Sequence, residues 1–213
     1  MASRFFWRGN DPGLDFLNTE VVDEWGAPLD LLSDGEALLQ WLSEVGIVDA
    51  ADVDACWSLP RRSATALLDW ARRLRSTTRA LVDPAAKAAG RSGPSDPAER
   101  SSAATAFSAV VAEVPVRLTA PAALEDDSVP VAPVTAVTPV DRVRLALALA
   151  AIDTLSLDRG RIRRCEGERC VLLYYDTSRN RSRRWCDMAA CGNRAKAAAH
   201  YRRTRRAGAT VQK

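Results

Sequence analysis

At 213 residues and 47% hydrophobic content, the chain is long enough for one large domain, or a medium domain plus a small one, and can fill a buried core. No apolar run reaches the roughly 18 residues needed to cross a bilayer. The N-terminal Met1-Ala2-Ser3-Arg4-Phe5-Phe6-Trp7-Arg8 lacks the apolar stretch of a secretory signal, so a cytoplasmic protein is expected. The net charge of +3 conceals a split. Arg159 to Arg206 holds 15 Lys/Arg against 4 Asp/Glu, whereas residues 1–158 hold 14 against 23. Such asymmetry describes an acidic body carrying a basic binding module.

In chain order, Gly13 to Thr19 is a short apolar segment that fits either a buried strand or the first turns of a helix. Ser33 and Glu36 read as a capping box for a helix whose stripe is Leu38, Leu39, Leu42 and Val45, with Gly46 as its stop. A short helix is expected over residues 50–57. Within it, Cys56 has no partner motif and reads as a small apolar residue. Leu67, Ala71, Leu74, Thr78 and Leu81 recur at spacings of 4, 3, 4 and 3, one face of an amphipathic helix from Arg62 to Val82. Asp83-Pro84 ends it, residues 84–97 read as a surface loop, and Asp96 to Val114 regains helical character with Pro97 in the first turn. Val114, Val116 and Leu118 then alternate with polar or proline residues. The turn-like Glu125-Asp126-Asp127-Ser128 and Val129, Val131, Val134 and Val137 follow. Together these predict a β-hairpin or meander with edge character. Thr138-Pro139-Val140-Asp141 opens a strong helix. Its run Leu145 to Ile152 is apolar nearly all round, so the helix should be central and buried, ending near Asp158-Arg159-Gly160. No internal repeat is present, and the short tether to the basic segment predicts a module held against the body.

Cys165 and Cys170 form a pair with four residues between them, Cys186 and Cys191 form another with the same gap, and fifteen residues separate the pairs. Four thiolates so spaced suit tetrahedral zinc. Disulfides are the alternative chemistry, which a reducing cytosol disfavours. Gly167 supplies a flexible position in the first knuckle, Val171 to Tyr175 is β-prone, and the alanines from Ala195 to Ala199 favour a helix through Arg206. Knuckle, hairpin and helix in that order are treble-clef-like, and the segment has so few apolar residues that zinc should supply most of its folding free energy. His200, the sole histidine, is the alternative ligand. Four cysteines already close the shell, however, and a closed shell is structural rather than catalytic. Asn193, Lys196, His200 and Arg203 share one polar helix face, with Arg194 and Arg202 beside them. Arg179, Asn180, Arg181, Arg183 and Arg184 form a second basic stretch whose guanidinium forks suit phosphate oxygens. An ordinary solvated surface is the competing reading of both.

The C-terminal segment resembles the CGNR zinc-finger family. The resemblance rests on Cys165, Cys170, Asp176-Thr177-Ser178-Arg179-Asn180, Arg184-Trp185-Cys186, Cys191-Gly192-Asn193-Arg194, Lys196 and His200. The N-terminal part is similar to the ABATE domain that accompanies this finger, through Leu14-Asp15-Phe16-Leu17-Asn18-Thr19, Asp30-Leu31-Leu32 and Leu39-Gln40-Trp41-Leu42. Proteins with this pair are described as stress-induced transcription regulators of bacteria, and the resemblance implies a finger that binds zinc and DNA. The expected architecture is α+β and mostly α. A helical regulatory domain over 1–158 carries a small hairpin or meander, a treble-clef-like finger spans 159–206, and a tail covers 207–213. The expected function is DNA-binding transcriptional regulation from the cytoplasm, associated with the nucleoid. Duplex DNA is the partner, and the body is used for homodimerisation or for sensing a small-molecule effector. RNA or ribosome binding is the alternative, and a membrane role and an enzymatic role are not expected. Trp25, Trp41 and Trp70 are candidates for an effector pocket or for core.

Overall fold

The computed structural model describes residues 3–83, 97–118 and 134–210. The short apolar segment resolves as helix α1 (Pro12–Leu17): the Asp11 carboxylate accepts the Leu14 N–H, and Pro12 stands at the first turn, where its missing N–H costs nothing. Two three-residue strands follow, β1 (Glu20–Val22) and β2 (Pro28–Asp30), paired antiparallel with Val21 opposite Leu29. The sequence does not announce this hairpin, because three residues are too few for an alternation to register. Helix α2 (Gly35–Val45) is capped by Asp34, which accepts the Ala37 N–H at 2.8 Å. The expected cap, Ser33, instead donates to Asp34. A carboxylate one residue downstream is the stronger acceptor for the helix N-terminus, and it shifts Glu36 out of capping-box register. Gly46 ends the helix in the left-handed region (φ 72°), as expected.

Helices α3 (Ala50–Trp57), α4 (Arg61–Val82) and α5 (Pro97–Val111) occur where the periodicity places them, although α5 ends three residues before Val114. Strands β3 (Val116–Leu118) and β4 (Val134–Ala136) pair antiparallel. The expected loop over 84–97 lies outside the described residues as far as 96, and its last residue, Pro97, opens α5 instead; the turn at residues 125–128, and Val129 and Val131, also lie outside them. Helix α6 (Pro139–Ser156) has Thr138 as cap. It packs on α1, α3 and α4 and buries Val143, Leu147, Ala148 and Ala151. The expectation of burial all round is not met, because Leu149 and Ile152 are 49% and 38% exposed. The partner helices cover one side only.

The main core lies between α2, α3, α4 and α6. Trp41 and Trp70 are fully buried in it, and Cys56 sits there as a small apolar residue. Trp70 donates its indole N–H to the Val110 carbonyl, tying α5 to α4. Gly13 permits the close α1–α6 crossing: a Cβ there would run into the Thr154 hydroxyl and sit 2.7 Å from the Ala150 carbonyl oxygen. A charge network centred on the buried Arg75 fastens the β1–β2 hairpin to α4. Arg75, 2% exposed, donates to the Thr19 hydroxyl at 2.7 Å and to both Asp30 oxygens at 2.8 Å, and it pairs with Glu20 at 3.2 Å. Arg72 adds a bond to Asp30 at 3.0 Å. Burial pushes the Asp30 carboxyl up, but the Arg75 guanidinium outweighs it and holds the group below the usual carboxylate range.

After a turn at Arg159–Arg161, the C-terminal unit consists of β5 (Ile162–Arg164), β6 (Leu173–Tyr175), a wide turn at Met188–Gly192 and α7 (Asn193–Thr210). Strands β5 and β6 are antiparallel, with Arg163 opposite Tyr174. The first cysteine pair lies between them, so the knuckle is the turn of the hairpin rather than a unit preceding it. Helix α7 continues past Arg206 to Thr210.

The unit is built into the body, as the short tether predicts. The second edge of β6 is closed by body residues. Asn18, 1% exposed, accepts the Leu173 N–H and donates to the Leu173 carbonyl, both at 2.8 Å. Gly9 accepts the Tyr175 N–H at 2.7 Å. The Asn18 side chain thus stands in for a third strand, satisfying backbone groups that burial would otherwise leave unpaired. Leu14, Leu17 and Val82 of the body pack with Ile162 and Leu173. The mostly helical fold with small antiparallel sheets is therefore continuous from the body into the finger.

Candidate metal centre and basic face

Cys165 follows β5, Cys170 ends the knuckle, and Cys186 and Cys191 flank and enter the wide turn before α7. All four are free thiols, and their sulfurs lie within 4.8 Å of one another. The Cys170–Cys186 and Cys186–Cys191 sulfur separations are both 3.8 Å. Zinc–thiolate bonds of about 2.3 Å place the corners of a tetrahedron about 3.8 Å apart, so the sulfurs stand where four zinc ligands stand. Paired sulfurs in disulfides would be at about 2.0 Å, which removes the disulfide alternative. Among the described residues no histidine or carboxylate joins this cluster, so His200 is not a fourth-position substitute.

The backbone prepares the site for negative charge. The Cys165 sulfur accepts N–H groups from Gly167 at 3.4 Å and Cys186 at 3.3 Å, and Arg194 reaches the Cys191 sulfur at 3.4 Å. The neighbouring thiols of Cys170 and Cys186, then these N–H groups, hold Cys165 far below the usual thiol range. Cys165 in turn pushes Cys170 up to about 12, and Cys165 and Cys170 together push Cys186 up. Four crowded sulfurs cannot all ionise unaided; a divalent cation at their centre reverses that balance. Gly167 serves by close approach rather than by flexibility. A Cβ there would stand 3.1 Å from the Cys191 sulfur, whereas the positive φ of the knuckle (65°) falls on Arg169. Val21 of the body packs with Leu172, Tyr174 and three of the cysteines, and Arg8 pairs with Asp187 in the second half-site.

The basic residues divide by what holds them. Arg183 lies over the Tyr174 ring at 4.4 Å and donates to the Trp185 and Cys186 carbonyls, bracing the chain into the second cysteine pair. Arg181 pairs with Asp158 at 3.1 Å. Arg184 pairs with Glu166 at 2.6 Å and stacks on Trp185 at 5.0 Å. Arg179 and Asn180 are exposed, as are Asn193, Lys196, His200, Arg202 and Arg203 along α7. Tyr174 is fully buried, and its hydroxyl donates to the Arg183 carbonyl at 2.6 Å.

Two positions quoted for the family resemblance have roles that the sequence reading did not assign. Asp176 is fully buried and organises the arginine loop, residues 179–184, accepting the Ser178 N–H at 2.9 Å and the Arg183 N–H at 3.2 Å. Burial pushes its carboxyl up, but Ser178 and Arg183 overcome this and hold it below the ordinary range. The Asp-x-Ser spacing is an Asx-turn signal that could have found it. Asn18 belongs to the segment that carries the ABATE resemblance, but no local pattern states its role, which depends on a strand 155 residues away. Trp41 and Trp70 are core, and Trp25 is 84% exposed at the β1–β2 tip. No helix among the described residues is long and apolar enough to cross a membrane.

Two family models match the chain. The CGNR zinc finger model covers residues 161–204. The ABATE model, described as "Putative stress-induced transcription regulator", covers residues 10–158, more than half of the sequence. No curated protein matches it. The finger match and the four-sulfur geometry together make the centre a zinc site.

Proposed function

Because the chain belongs to the ABATE family and carries a CGNR zinc finger, we propose that it is a zinc-dependent, DNA-binding transcription regulator. The observation that carries this reading is the position of the metal centre. Its four thiolates fix both the arginine loop and the start of α7, so zinc sets the geometry of exposed cationic groups on a rigid base. The ion holds Cys165, Cys170, Cys186 and Cys191 together and has no open position for a reactant, so its part is structural and no enzymatic step is assigned to the chain. Guanidinium and ammonium groups of Arg179, Arg181, Arg184, Lys196, Arg202 and Arg203 provide phosphate contacts, with Asn180, Asn193 and His200 as further hydrogen-bonding partners along the same surfaces. Arg183 and Arg194 act through the loop and the Cys191 thiolate that they brace. The body serves sensing or dimerisation, and the cytoplasm, on the nucleoid, is the site of action.

Structured RNA is the competing ligand. Of the aromatic side chains that could stack on an unpaired base, Tyr174 is buried, whereas Tyr175 is half-buried and Tyr201 is exposed on α7, so competition decides between the two ligands. The test is binding of the zinc-loaded protein to duplex DNA across a salt series, with structured RNA as competitor. Affinity should fall steeply with salt, because each neutralised phosphate releases counterions. Chelation should abolish binding, and RNA should compete poorly. Full binding after zinc is removed would overturn the reading.

A further inference from the structure

A groove of about 610 Å³ runs between β5 and the arginine loop, lined by Arg159, Arg163, Arg164, Arg181, Arg183 and Arg184. Glu166 is the one carboxylate in its lining, and Arg184 already occupies it at 2.6 Å. Arg181 is held by Asp158, and Arg183 by backbone carbonyls. Among the described residues, Arg159, Arg163 and Arg164 take part in no ion pair. Three guanidiniums without an ion-pair partner, of which Arg163 also feels the buried Asp176 carboxylate, leave the depression with a positive field that a polyanion relieves.

The groove is not isolated. A second depression, lined by Ser178, Ser182, Arg183, Arg184, Trp185 and Met188, shares three of these residues with it. It leads to Met188, where the turn into α7 begins. A continuous track therefore joins β5 to the start of α7, and its floor is rigid. Ile162 buries one face of β5, while the Tyr174 and Leu173 positions opposite Arg163 and Arg164 are themselves buried.

We propose that this track seats the sugar–phosphate backbone of a nucleic acid, with Arg159, Arg163 and Arg164 as phosphate contacts. The inference rests on the DNA-binding reading and extends it to residues upstream of the first cysteine. The chemistry favours phosphate over an acidic peptide. The cations are all arginine, whose planar fork matches phosphate oxygens, and Ser178 and Ser182 supply the neutral donors common at backbone contacts. A peptide interface would need an apolar anchor pocket. Ile162 and Tyr174 in the first depression are both in the core, and Trp185 and Met188 at the far end of the track are its only other large apolar lining.

The experiment compares zinc-loaded full-length protein with two triple variants, Arg159→Ala/Arg163→Ala/Arg164→Ala and the corresponding lysine set, on two unrelated duplexes over a salt series. Zinc content verifies that each variant retains the finger. The alanine set should weaken binding about tenfold or more on both duplexes and reduce the slope of log affinity against log salt by about 2 to 3, whereas lysine should keep most of that slope. If wild type binds and the alanine set binds equally with an unchanged slope, the track is wrong and the DNA reading stands. A loss on one duplex alone would make these residues base readers and overturn the phosphate assignment. Polyglutamate competing as well as duplex would overturn the nucleic-acid assignment. Wild type failing to bind any duplex would sink both readings.

Discussion

The body and the finger of this chain reach a folded state by opposite means. The body buries Trp41, Trp70, Phe16 and a row of leucines between helices. The finger has a small apolar complement, and its centre is four sulfurs within 4.8 Å. It completes itself by borrowing, with Val21 lying against the cysteines, Leu14 and Leu17 against β6, and Asn18 filling the place of a strand. A segment rich in arginine cannot bury enough apolar surface to offset its ordering entropy, so a metal ion and a neighbouring domain supply the difference.

The contrast is broken most severely at the metal. Cys186→Ser should release zinc, which in small finger modules contributes on the order of 10 kcal/mol at neutral pH. Metal analysis should show the ion lost, and duplex binding should go with it. Because the finger's core is shared with Val21, the body should also melt earlier; an unchanged body transition in a thermal scan would show the two regions to be independent. A smaller effect is expected from Asn18→Ala. It strands the Leu173 N–H and carbonyl in the interior, at about 1–3 kcal/mol for each buried group left unpaired. The measurement is urea unfolding of the zinc-loaded protein, and a loss below about 0.5 kcal/mol would remove Asn18 from its role as a strand substitute.

The smallest effect concerns Asp15, which accepts N–H bonds from Arg8 and Gly9, next to the Gly9 carbonyl that holds Tyr175. Burial is the main cause that pushes its carboxyl from 3.8 up to about 6, and nearby Asp11 adds to the rise. The native state therefore binds its proton more tightly than the unfolded chain does. The stability Asp15 contributes is greatest below about pH 4 and is lost as pH rises through about 6, a change of about 3 kcal/mol. Asp15→Asn keeps the acceptor oxygen and removes the charge. It should therefore exceed wild type at pH 8 and match it at about pH 4, as read by urea melts at both values. Equal stability at pH 8 would mean that this junction tolerates the charge.

Much of the helical body is legible in the sequence, because a 3.6-residue apolar period over α2 and α4 leaves few alternatives. The four cysteines are equally legible, since their spacing states a ligand set without reference to anything else. The exposure of Leu149 and Ile152 was not readable, because an all-apolar helix does not say which side its neighbours will cover. Nor was the cap shift from Ser33 to Asp34, where two adjacent acceptors compete for one helix end.

Local pattern by itself thus determined the main helices, the zinc-binding thiols and the concentration of positive charge behind Asp158. Only the tertiary structure decided that Asn18 pairs with Leu173, that Asp176 organises the arginine loop, and that Arg159, Arg163 and Arg164 share a groove with Arg181 and Arg184. The physical reason is range. Helix period and ligand spacing are set by neighbours along the chain, whereas a buried hydrogen bond or a shared groove exists only after distant segments have been brought within a few ångströms.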